Sequence, residues 1–282
     1  MVHKFFPVAA ILGIVMVVTA PVAAFILNQG HSEERAAAAR EIAMRLSMIN
    51  NEIQRERAFM TAFGYAGVED EGVHREMSAT DDYRDLLLPE IARLTAPEAI
   101  LGQHRDTLAT IEPALDRLID IRETARAGDQ PGLETFAAYS DVADILTGAT
   151  VALHGELAIS RHQKVVESQL LVLIEHLARE RGYGLAAMTG AIPEGDLVRA
   201  RQANLAALDQ IQAELEAAYD ESEFGELLVP FLVDVTQVTR PRDPGQSEAE
   251  AAHNWFSDMS AHIDAVRLLY TRLLARGEAG TA

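Results

Sequence analysis

Two Arg-Glu-Arg triplets stand 124 residues apart, Arg55-Glu56-Arg57 and Arg179-Glu180-Arg181. Arginine presents a planar fork of N–H donors that holds two oxygens of a carboxylate or of a small planar oxyanion. Glutamate is the residue that would use such forks up. Each triplet ends the same helical stripe: Ile42, Leu46, Ile49 and Ile53 lead to Glu56, and Val166, Leu170, Leu173 and Leu177 lead to Glu180. The 4-3-4 spacing is that of one helix face, and it puts both glutamates where another apolar residue belongs. Buried charge is costly unless paired. One reading makes the triplets internal ion pairs that lock helix register. The other makes them an anion site. With a net charge of −19 the long-range field repels anions, so capture requires a local, partly dehydrated arginine cluster.

The elements that carry the triplets read as helices between short breaks. The first runs from about His31 to Ala66, continuous with the segment before it. A second covers Val73 to Leu94. Thr95 caps a third with Pro97 near its first turn, running to Ala127 and ending at Gly128–Gly132. A fourth covers Leu133 to Ser160. The pattern restarts with helices over Arg161–Thr189, Gly195–Tyr219 and Ser222–Thr239. A proline-rich stop at Arg240–Gly245 follows, and a last helix, capped by Ser247 with Glu250 as its capping-box partner, runs to Arg276. Four helices repeated, with a triplet in the first of each set, predict an all-α fold of two antiparallel four-helix bundles in tandem, over 31–160 and 161–280.

Composition agrees. Aromatics are 6% and hydrophobic residues 49%, a mix that suits helix packing. The absence of cysteine excludes disulfides, thiolate metal sites, iron–sulfur clusters and covalent haem attachment. The acidic balance argues against a nucleic-acid partner. Lys4 and Lys164 are the only lysines, so nearly every cation is a planar fork. Phe5 to Leu27 holds no charged residue over 23 positions, long enough to span a bilayer. Lys4 before it favours an N-terminus-in signal-anchor with the remainder exported. Val22-Ala23-Ala24 offers a cleavage site, but the apolar run continues through Leu27. No second span follows, so a separate protein would have to read any signal.

The residues around the triplets resemble the NIT family, the nitrate- and nitrite-sensing modules of bacterial receptors and regulators. LVLIEHLARERGYGLAAMTG resembles its Glu-Arg-Gly helix motif, and Gln54-Arg55-Glu56-Arg57 its N-terminal box, with Ala58 in place of the usual Gly. Trp255-Phe256, Ser260, Ile263-Asp264 and Arg267 resemble its last helix. The resemblance covers Ala38 to Arg276. It implies two antiparallel four-helix bundles and a nitrate or nitrite ligand held by box arginines and one late arginine. Carried onto this chain, the ligand-binding set is Arg57, Arg181, Arg55, Arg179 and Arg240, with Arg122 as the counterpart of Arg240 in the first half. The second box, which keeps Gly182, is expected to be the working copy.

Other chemistry is weakly supported. Glu71…His74 and Glu250…His253 have the spacing of di-metal bundle ligands, but a helix start and the capping box explain them, and the further core glutamates are missing. Scattered histidines, among them His154, His162, His176 and His262, give no defined haem pocket. No nucleophile elbow, phosphate loop or dinucleotide fingerprint occurs, so no enzyme, metal or cofactor is expected. The favoured expectation is a single-pass protein of the bacterial inner membrane. Its periplasmic module would bind a small oxyanion and signal through a membrane or signalling partner. The alternative is a non-catalytic structural or accessory subunit whose arginines serve only as ion pairs. Dimerisation through the first helix is one open arrangement.

Overall fold

The computed structural model describes residues 6–63, 71–96, 98–128, 132–157, 159–219 and 248–276, with the side chains of 6–30, 218–219 and 248–249 outside the description. All regular structure among them is helical. In chain order it comprises α1 (Phe6–Phe63), α2 (Glu71–Leu94), a 3-10 turn (Gly102–His104), α3 (Arg105–Leu108) and α4 (Ile111–Ala127). There follow α5 (Gly132–Leu153), a 3-10 turn (His154–Glu156), α6 (Arg161–Thr189), α7 (Glu194–Tyr219) and α8 (Glu248–Arg276). The helix expected over 222–239, Arg240 with its proline-rich stop, and the Ser247 cap lie outside the described residues.

The third helix is shorter than its sequence suggested. Thr95 does not open it. Its hydroxyl donates to the Ile91 carbonyl at 2.7 Å and so closes α2. Pro113 has no N–H to give Ala109, which weakens a helix at that turn, and α4 restarts with the proline in its first turn. Elsewhere the boundaries follow the chain's punctuation. Ser160 accepts from the Gln163 amide at 3.1 Å and caps α6. Gly128 and Gly190, at φ 72° and 68°, end α4 and α6 in the left-handed region where a Cβ is penalised.

Both stripes are buried. Ile42, Leu46, Ile49, Ile53, Val166, Leu170, Leu173 and Leu177 lie in one continuous apolar core, and Glu56 and Glu180 are fully buried at its end. Helix α1 packs on α2, α5 and α6, helix α6 packs on α7, α8 and α1, and α4 packs on α5. The two triplet-bearing helices therefore face each other, one from each half. Among the described residues no helix is long and apolar enough to cross a membrane. The anchor expected over 5–27 falls on the stretch whose side chains lie outside the description.

Candidate functional site

Each triplet residue has a different environment. Glu56 accepts both N–H groups of the Arg122 fork, at 2.7 and 2.8 Å, and the Tyr139 hydroxyl at 2.5 Å. Arg122 also donates to Asp81 at 2.7 Å. Burial would lower Arg122, but the Glu56 carboxylate raises it above the ordinary range. Glu180 is met by Arg201 of α7 and by the Asn204 amide. Burial nonetheless holds its carboxyl above the usual range. Both central glutamates thus draw their cations from other helices. Arg122, expected as a companion of the first box, serves Glu56.

Two box arginines are consumed by carboxylates. Arg55 forks onto Glu76 at 2.8 and 3.2 Å. Arg179 donates to Glu175 at 2.8 Å and to both oxygens of Asp144 at 2.7 and 2.9 Å. Glu175 is the hub that sequence reasoning missed. Its Oε1 also accepts from Arg57 at 2.6 Å and its Oε2 from Gln54 at 2.8 Å. Burial alone would raise Glu175, yet the flanking Arg57 and Arg179 hold it below the usual range. The available signal was a lone acid within the apolar run Leu170–Leu177.

Arg57 and Arg181 differ from the rest. Both side chains are fully buried. Arg57 uses Nη1 alone, toward Ser140 at 2.9 Å and Glu175. Arg181 uses Nη1 toward the Ser260 hydroxyl at 3.0 Å, and no carboxylate among the described residues pairs with it. In each, Nε and Nη2 find no acceptor among the described residues. Those two atoms form the side-on fork that grips two coplanar oxygens. An orphan buried donor is uncommon and calls for an explanation. Burial, with the like charges of Arg55 and Arg57 nearby, pushes the Arg181 guanidinium down to about 9. A guanidinium stays charged in ordinary proteins, so the downward direction fits a buried cation that no carboxylate among the described residues compensates.

Aromatic rings back both forks. Phe136 of α5 lies 4.6 Å beneath the Arg57 guanidinium, and Phe256 of α8 lies 4.9 Å from that of Arg181. The glycines after Arg181 make room for this. A Cβ on Gly182 would meet Phe136 at 2.6 Å, and one on Gly184 would meet the Trp255 indole at 2.1 Å. The indole N–H donates to the Arg181 carbonyl at 3.1 Å. Ala58, in the first copy, packs instead on Ala62, Leu185 and Ala252. Of the expected ligand set, Arg57 and Arg181 present open forks, Arg55 and Arg179 are held by carboxylates, and Arg240 lies outside the described residues. No group of three metal-ligating side chains occurs among the described residues.

Fold and site together define an all-helical module with a buried arginine cluster between two repeated halves. The chain belongs to the NIT family, nitrate and nitrite sensing, whose model matches residues 50–277. Its fold is similar to that in the structure of the NasR transcription antiterminator, with a TM-score of 0.61 and 17% identity over 93% of this chain and 74% of that one. No curated protein matches the sequence.

Proposed function

We propose that this chain is a membrane-anchored module that binds one small planar oxyanion, nitrate or nitrite, between Arg57 and Arg181. The observation that carries the reading is the pair of orphan forks. Glu56 and Glu180 could have consumed the box arginines, as an ion-pair scaffold requires, but they draw on Arg122 and Arg201 instead. Four N–H donors remain in a dry setting, beside a cation with no carboxylate among the described residues. A monovalent anion would satisfy the donors and the charge at once.

Anchoring rests on the charge-free run over 5–27, and the proposal that the remainder is on the periplasmic side of a bacterial inner membrane rests on Lys4 before it. Signalling rests on connectivity. Arg57 stands on α1, which continues unbroken back to Phe6, and Arg181 stands on α6, packed against it. An anion bridging the two would favour one setting of α1 against α6. The ligand shifts that setting by as much as it prefers it, and a separate membrane partner would read the shift along α1.

Isothermal titration of the full chain in detergent tests this, with nitrate, nitrite and chloride as titrants. Saturable binding of a planar anion is expected. Arg57→Lys and Arg181→Lys keep the charge but lose the fork, each costing about 1.5–3 kcal/mol of affinity. No heat from nitrate or nitrite at millimolar concentration would sink the reading.

A further inference from the structure

Two rings accompany the free forks, and anion charge alone does not require them. Phe136 is wedged with one face toward Arg57 and an edge against the bare Cα of Gly182. It also stacks on Tyr183 with centroids 4.3 Å apart. Phe256 faces Arg181, is approached by Arg55 at 5.8 Å, and meets Phe59 edge-to-face at 4.7 Å. Each of these two guanidinium groups therefore lies over an apolar ring that a neighbouring ring holds in place. The rings come from α5 and α8, neither of which carries a triplet.

We propose that Phe136 and Phe256 are the residues that make this pocket select a planar, weakly hydrated anion over a spherical or more strongly hydrated one. The inference rests on the arginine reading above and assigns the selectivity within it. With a ring against each guanidinium, what is left for an anion is the Nε–Nη2 edge that has no acceptor among the described residues. There two coplanar oxygens accept in parallel, whereas a halide offers one point of contact. The ring also keeps water off the guanidinium, so the anion enters stripped of its shell and the better-hydrated ion loses more. A charge facing a desolvated ring keeps its own stabilisation during the exchange. Charge attracts any anion to Arg57 and Arg181, and the rings decide which of them stays.

The test compares nitrate with chloride by titration of the full chain, as wild type, Phe136→Leu and Phe256→Leu. Leucine keeps an apolar contact but removes the ring. Nitrate binding should survive in both variants while the nitrate-to-chloride preference falls about tenfold or more. An unchanged preference overturns the proposal. Loss of both anions from a folded variant also overturns it, since the rings would then be supports and not selectors. Gly182→Ala provides a variant that keeps both rings, because its Cβ displaces Phe136 without removing it. It should lower the preference in the same direction, and an unaltered ratio there counts against the rings even if a leucine variant fails to fold. Absence of nitrate binding in the wild type would instead overturn the arginine site itself, a distinguishable failure.

Discussion

Arg181 is the residue on which the site turns. It is fully buried, uses one nitrogen on a serine, and sits among like charges. Replacing an uncompensated buried cation by an apolar side chain of similar length relieves its desolvation. Arg181→Met should therefore raise the stability of the anion-free protein, by about 1–4 kcal/mol in urea denaturation. The same variant should lose any nitrate-dependent rise in Tm. Lower stability without anion would show that Arg181 is already neutralised. Glu175 is the converse case. Glu175→Gln leaves Arg57 and Arg179 short of their shared carboxylate, and should cost about 3–5 kcal/mol in the same measurement. The sequence marks Glu56 and Glu180 as buried because they sit in register with leucines and isoleucines. It does not reveal which cations meet them. Arg122 reaches Glu56 across 66 positions and Phe136 reaches Arg57 across 79, contacts set by how helices cross and not by local pattern.

Helix α6 carries a third buried acid, away from the triplet arginines. Glu167 is fully buried; its Oε1 accepts from Gln163 at 2.8 Å, while its Oε2 has no donor among the described residues and lies 4.0 Å from His154. Burial, opposed by Gln163 and the charges of Arg40 and Lys164, pushes its carboxyl from 4.5 up to about 7. Burial likewise lowers His154 to about 4, which keeps it neutral beside the acid. A carboxyl raised on folding makes the folded protein hold a proton that the unfolded chain releases. Its contribution is complete below about pH 4.5 and is lost as pH rises through about 7, a change of about 3 kcal/mol. Glu167→Gln should remove that slope, so that stability relative to wild type grows between pH 5 and pH 8. A parallel pH profile for the two proteins would contradict it. Helices were the most legible level of this fold, because glycines, prolines and apolar stripes act within a few residues. The stretch 95–127 departs from its apolar pattern, since it is divided into a 3-10 turn, α3 and α4, with Pro113 in the first turn of α4.

Across the whole molecule, the two triplets have unequal surroundings. Each half supplies one open arginine and the ring over it, and both rings also reach the other half, Phe256 by meeting Phe59. Phe136 of the first half seats on Gly182 of the second, while Trp255 seats on Gly184. Ala58 in the first copy lies in a small cluster with Ala62, Leu185 and Ala252, against which Phe63, Met188 and Phe256 pack. The two stripes were legible in the sequence, and the structure packs the helices that carry them, α1 and α6, against each other. The crossing of rings between halves was not legible, since it depends on three-dimensional approach at two glycines. On the proposed reading, one anion held between α1 and α6 would join the halves and bear on the helix that runs toward the N-terminus. The most direct measurement is a crystal structure of the full chain grown with nitrate. One planar anion should lie between the two helices, with its oxygens within hydrogen-bonding distance of Nε and Nη2 of both Arg57 and Arg181. Nitrate bound elsewhere, or those four donors satisfied by protein groups with no anion present, would contradict the arginine site.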